Sequence, residues 1–162
     1  MPSFDTTRRV AHSASDMFAL VSDVETYPQF LPLCKSLRVL RRTQEGDTQI
    51  FVAEMQVGYK AIRETFKTRV ACDAATKHIL VEYIDGPFRY LKNSWVFRDD
   101  AEGASHVDFH IEYEFKSRML GMLMGSMFDQ AFRRFADAFE RRADEVYGRP
   151  GGAPARPAGR LA

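Results

Sequence analysis

From Ser36 to Phe115 the side chains alternate with a period of two, and this run constrains the fold more than any other part of the chain. Alternation of apolar and polar residues marks strands with one buried face. The breaks in it are short: Gln44-Glu45-Gly46-Asp47, Asp73 to Thr76, Asp85-Gly86-Pro87 and Asp99 to Ala104. Strands joined by such tight turns pair antiparallel, so the run predicts a sheet of about six consecutive strands. One face carries Leu37 and Val39, then Phe51, Ala53, Met55, Val57 and Tyr59, then Ile62, Phe66 and Val70. It continues with Ile79, Val81 and Tyr83, then Leu91, Asn93, Trp95 and Phe97, and ends with Val107, Phe109, Ile111, Tyr113 and Phe115. The opposite face is polar, from Arg38, Glu54 and Gln56 to His106, Asp108, His110, Glu112 and Glu114. Gly58, inside a strand pattern, predicts a bend or bulge.

An apolar sheet face needs a cover. The stretch from Ser117 to Tyr147 supplies one. Leu120, Leu123, Met124, Met127, Phe128, Ala131, Phe132, Phe135, Ala138 and Phe139 recur at steps of three and four, the spacing of an amphipathic helix. Alone, this Met- and Phe-rich stripe reads as ordinary core. Facing a sheet just as aromatic, it predicts a helix that forms one wall of an apolar tunnel. Gly121 and Gly125 in its first turns would let that end flex.

Before the sheet, Phe4 to Ala11 predicts a first strand, and Ser13 or Ser15 caps a helix over Ala14 to Val24. Tyr27-Pro28-Gln29-Phe30-Leu31-Pro32-Leu33-Cys34 is broken by two prolines yet apolar, so it requires burial. Residues 148–162, built from Gly, Pro, Ala and Arg, read as a disordered tail outside a domain of residues 1–147.

With 162 residues and a formal charge of +1, the chain fits one domain, and bulk charge supports no DNA partner. Cys34 and Cys72 are expected as free thiols. No apolar run reaches the roughly 20 residues of a membrane span. A cytoplasmic location follows, with peripheral contact at the inner membrane as an option.

Chemistry-bearing motifs are few. His106-x-Asp108-x-His110 lies on the solvent face, and no metal site is expected there. Neither a phosphate-binding glycine loop nor a nucleophile elbow occurs. Glu64 and Asn93 are inward polar residues, able to hydrogen-bond a ligand; neither has a base that would make it catalytic. Lys60, Arg63, Lys67 and Arg69, extended by Arg38, Arg41 and Arg42, form a basic stripe read first as a solvated sheet face. Its minority reading is contact with acidic headgroups or ribosomal RNA.

Several segments together carry a resemblance. These are Tyr27 to Cys34, Gly58-Tyr59-Lys60 through Phe66-x-Thr68-Arg69-Val70, Gly86-Pro87-Phe88-Arg89-Tyr90-Leu91 with Trp95-x-Phe97, and Phe109 to Phe115 running into the Met-rich helix. Over residues 3–147 the chain resembles the ubiquinone-binding START-domain family, which includes RatA-type ribosome association toxins. The resemblance implies an α+β helix-grip fold, START/Bet v1-like: a curved antiparallel sheet wrapped around a long C-terminal helix, with a hydrophobic tunnel. It implies non-enzymatic binding of ubiquinone or another isoprenoid lipid in support of respiration or quinone biosynthesis, with no required cofactor. The alternatives are a toxin that binds the large ribosomal subunit and blocks subunit association, and a cyclase- or hydrolase-like enzyme on an apolar substrate. Parity and helix phase then give the expected ligand contacts. From the loop and first strands these are Phe30, Leu31, Met55, Val57, Tyr59, Ile62, Glu64 and Phe66. The later strands add Tyr83, Phe88, Asn93, Trp95, Phe97, Phe109, Ile111 and Tyr113, and the helix adds Met124, Met127, Phe128 and Phe132.

Overall fold

The computed structural model describes residues 3–148; the expectation for the Gly/Pro/Ala/Arg tail lies almost wholly outside them. Strand β1 spans Ser3–Val10, helix α1 Ala14–Ser22, and β2 Cys34–Glu45. Then follow β3 (Thr48–Tyr59), β4 (Ile62–Asp73), β5 (His78–Asp85), β6 (Phe88–Asp99) and β7 (Ser105–Phe115), and the chain turns into α2 (Arg118–Tyr147). The strands form one antiparallel sheet in the order β1-β7-β6-β5-β4-β3-β2. β7 shows why the pattern was readable: odd positions are buried and even positions half-buried along its whole length.

Ser13 caps α1 by accepting a hydrogen bond from the Asp16 amide at 3.1 Å. The helix stops at Ser22, short of the expected Val24. Val24–Gln29 instead winds as a 3-10 turn containing Pro28. The turn buries Tyr27, whose hydroxyl donates to the Val21 carbonyl. Gly58 marks no bulge in β3, which pairs with β4 in unbroken register from Thr48 to Tyr59. Arg63 lies across Gly58, so that a Cβ there would meet the Arg63 side chain at 2.8 Å. The register breaks fall on β2, between Cys34 and Ser36 and between Val39 and Arg41.

Helix α2 is capped by Ser117, which accepts from the Leu120 amide at 3.1 Å, and runs unbroken through Gly121 and Gly125. Arg8 ties β1 to α2 through Asp137 (2.7 Å) and Glu140 (3.1 Å). Buried His12 meets Asp144 at 2.8 Å near the helix end.

On the convex face, charges alternate across the strands. Arg38, Glu54 and Lys67 stand opposite one another in turn, as do Arg69, Glu82, Lys92 and Glu112. Arg38 pairs with Glu54 at 2.7 Å and Arg69 with Glu82 at 3.6 Å. Arg42 pairs with Glu25 at 3.2 Å. Three of the seven cations of the basic stripe, Arg38, Arg42 and Arg69, are therefore paired in place. Asp108 takes two hydrogen bonds from Arg98, at 3.0 Å each, and one from Thr7 at 2.7 Å. The Arg98 contact holds its carboxyl below the usual range.

Candidate functional site

Between the concave sheet face and α2 lies a cavity of about 120 Å³. The strands supply Leu37, Ala53, Met55, Val57, Phe66, Thr68, Val70, Ile79, Val81, Leu91, Asn93, Trp95, Phe109 and Ile111. Helix α2 supplies Phe128, Ala131, Phe132, Phe135 and Phe139. The remaining wall is the segment from Val21 to Cys34, which contributes Val21, Val24, Tyr27, Leu31, Pro32, Leu33 and Cys34. Pro32, Leu33, Leu37 and Met55 are partly exposed and form the rim where this segment meets β2 and β3. Leu33 holds a φ of 68°, a left-handed conformation that costs a side-chain-bearing residue about 1–2 kcal/mol. Its carbonyl accepts the Gly58 amide at 3.0 Å.

Polar groups on this wall are sparse. Asn93 is fixed: its Nδ2 donates to the His110 carbonyl at 2.8 Å, and its Oδ1 accepts from Trp95 Nε1 at 2.9 Å. One amide N–H and one lone pair remain for a ligand. Thr68 is buried. Tyr27 spends its hydroxyl on Val21. The Cys34 thiol is pushed up to about 11 by burial and stays protonated. No Asp, Glu or His stands on the wall among the described residues.

Ten of the residues expected from the sequence lie on this wall: Leu31, Met55, Val57, Phe66, Asn93, Trp95, Phe109, Ile111, Phe128 and Phe132. The other ten do not, for local reasons. Phe30 turns away and packs edge-on against Tyr27 and Phe139, with Arg142 over its ring at 5.2 Å. Tyr59 is exposed at the β3 end, and Ile62 and Glu64 lie at the start of β4, beyond the cavity. Tyr83 is used locally, its hydroxyl accepting the Phe88 amide at 3.1 Å. Phe88, Tyr113 and Met124 are solid core, with Phe88 stacked on Phe115 at 4.7 Å. Phe97 lies parallel to Trp95, 6.1 Å away, and meets Phe18. Met127 packs against the core from its edge.

Among the residues not anticipated, Phe135 and Phe139 extend the 128–132 stripe at the same helical spacing. Thr68 shares the parity of Phe66 and Val70. Those signals are in the sequence; for Leu33 and Cys34 the apolar Tyr27–Cys34 segment gives burial but not the direction of each side chain.

A curled sheet gripping a long C-terminal helix around an apolar cavity defines the helix-grip class of START-like domains. The chain belongs to the family described as polyketide cyclase/dehydrase and lipid transport, whose model matches residues 10–140. It is 35% identical over 147 residues to the ribosome association toxin RatA of Escherichia coli K12, covering 91% of this chain and 90% of that one. The mitochondrial coenzyme Q-binding protein COQ10 of Dictyostelium discoideum is 29% identical over 144 residues, covering 88% and 69%. The solution structure of the 18 kDa protein CC1736 from Caulobacter crescentus superposes with a TM-score of 0.76 at 34% identity, over 92% of this chain and 100% of that one. The Zhui aromatase/cyclase from Streptomyces sp. R1128 shares the fold at a TM-score of 0.76 and 15% identity, over 94% and 99%.

Proposed function

We propose that this protein is a non-enzymatic binder of ubiquinone or a related isoprenoid lipid. The observation that carries the reading is the cavity itself: a nearly all-apolar aromatic and aliphatic wall interrupted by Thr68 and Asn93. At about 120 Å³ it is of the same order as the engineered apolar cavity of about 150 Å³ that holds benzene, so the reading requires the wall to open somewhat around a substituted ring. A quinone ring fits this chemistry, because its carbonyls are acceptors for the Thr68 hydroxyl and the free Asn93 N–H. A long prenyl chain exceeds the space and would leave past Pro32, Leu33, Leu37 and Met55. Burial of that chain would supply affinity at about 25 cal/mol per Å² before ordering costs. The family description as lipid transport and the coenzyme Q-binding relative support the same reading. Among the described residues the wall carries no carboxylate or imidazole that could form an acid–base pair for cyclase chemistry.

Trp95, the single tryptophan, reports occupancy. Freshly purified protein is expected to yield a prenyl quinone on organic extraction, and added short-chain ubiquinone is expected to quench Trp95. An empty extract together with unquenched Trp95 refutes the reading. The RatA relatives favour a second one, association with the large ribosomal subunit. Co-sedimentation with isolated subunits that persists at physiological salt would support it, because purely charge-driven binding falls steeply with salt.

A further inference from the structure

The first two turns of α2 are apolar where they face water. Met119 is 71% exposed, Met122 79% and Leu123 54%. Soluble helices normally keep such a face against a partner. Ordinary helix starts also favour Asp and Glu, which complement the positive end of the helix dipole. Here the first turn has no acidic residue and opens with Arg118, preceded by Lys116; both are exposed.

The surface continues beyond the helix. The Lys116 amide donates to the Pro87 carbonyl at 2.9 Å, which fixes the β5–β6 turn beside the helix start. Exposed Ile84 and Arg89 flank that turn. The β3–β4 turn lies at the same end of the sheet and exposes Tyr59, with the Lys60 ammonium 5.2 Å over its ring. The acids at this end are Asp85, half-buried Glu64 and Glu114, which pairs with Arg89 at 3.5 Å. Lys60, Arg63, Lys116 and Arg118 have no ion-pair partner among the described residues. The balance is cationic, around a protruding cluster of flexible apolar side chains.

We infer that this end of the molecule, led by Met119, Met122 and Leu123 with Lys116 and Arg118, docks on the surface of an anionic lipid bilayer. Methionine and leucine enter the boundary between headgroups and acyl chains, while the cations meet lipid phosphates. A nucleic-acid face would instead present dense cations with few protruding apolar groups. The convex sheet, where most other cations lie, already matches them with acids. The docking end also contains the start of β2 and the end of β3, where the partly exposed rim of the cavity begins. Bilayer and cavity therefore adjoin.

The test is co-sedimentation of the full chain with vesicles of phosphatidylcholine alone and of phosphatidylcholine mixed with phosphatidylglycerol. Binding to the mixed vesicles is expected to exceed binding to the neutral ones and to weaken as salt rises. Met122→Glu and Met119→Glu should each reduce it about tenfold, and Arg118→Glu about fivefold or more. Val146→Glu serves as the control, since Val146 is exposed near the far end of α2. All these positions are exposed, and circular dichroism will verify that the variants fold. Equal binding to both vesicle types, or equal loss in Val146→Glu, overturns the inference. So does a Met122→Glu change seen only in oligomeric state or in ribosomal-subunit binding. Trp95 quenching by detergent-dispersed quinone, measured on the same variants, reports ligand binding separately from docking.

Discussion

Ala131 faces the cavity from α2, between Phe128 and Phe132 on one side and Phe135 on the other. Replacing it with leucine places three more carbons in the empty space. At about 0.8 kcal/mol per buried methylene the gain is about 2.4 kcal/mol. Ordering the leucine side chain costs about 0.5–1 kcal/mol, leaving roughly 1.5 kcal/mol. The ceiling comes from the void itself: 120 Å³ at about 24 cal/mol per Å³ corresponds to about 3 kcal/mol. The net gain should raise the melting temperature by about 3–6 °C for a chain of this size. The same methyl groups occupy the place of a ring, so quinone affinity should fall about tenfold or more. Thermal unfolding by circular dichroism gives the first quantity, and quenching of Trp95 by short-chain ubiquinone gives the second. The expected signature is opposite movement, a more stable protein that binds less. A lower melting temperature with unchanged quenching would mean that residue 131 does not point into a ligand space, and the cavity assignment would fail.

Three further outcomes follow from the same geometry. Thr68→Val keeps the side-chain shape and should alter stability by less than about 1 kcal/mol while weakening quinone binding about three- to tenfold, measured by Trp95 titration. Gly86 has a φ of +142°, and a Cβ there would stand 2.5 Å from Phe66 Cβ, so Gly86→Ala should cost about 2–4 kcal/mol in urea unfolding. At high pH, burial raises the Cys34 thiol from 9.0 to about 11 and moves Tyr27 and Cys72 in the same direction. The folded protein then holds protons that the unfolded chain has lost, so stability is full below about pH 9 and declines toward about pH 11. Urea midpoints across that window check the fall, which Cys34→Ser should flatten.

Much of the fold was legible because antiparallel strands repeat a simple parity. β7 alternates without a fault, and the turns at Gly46, Gly86 and Gly103 adopt positive φ where the sequence places glycine. Parity identifies the face of a sheet but not the position along its curl. Phe88, Phe97 and Tyr113 point inward as expected, yet α2, Phe18 and one another fill the space in front of them. Glu64 and Tyr59 lie off the wall for a complementary reason, since both stand at the β3–β4 end of the sheet, where the wall stops at Val57 and Phe66. Thr68 shares the inward parity, but a threonine between Phe66 and Val70 does not stand out as apolar or charged. Tyr27, Leu33 and Cys34 belong to an irregular segment, and no periodicity reports the direction of such side chains. Their burial depends on where the 3-10 turn settles against β2 and α2, a tertiary outcome.

The two register breaks in β2 matter for more than the curl of the sheet. β2 is an edge strand of twelve residues, with no strand paired on its outer side among the described residues. Long regular edges recruit strands from other chains, and proteins resist this with irregular spacing and charge. In β2, Lys35 and Leu40 interrupt the even spacing of donors and acceptors, and Arg38, Arg41 and Arg42 crowd the same margin. A foreign strand laid alongside would lose register within a few residues and would have to bury guanidinium groups. The arginines that suggested an anionic partner in the sequence thus also govern which partners the sheet edge refuses, beginning with further copies of itself.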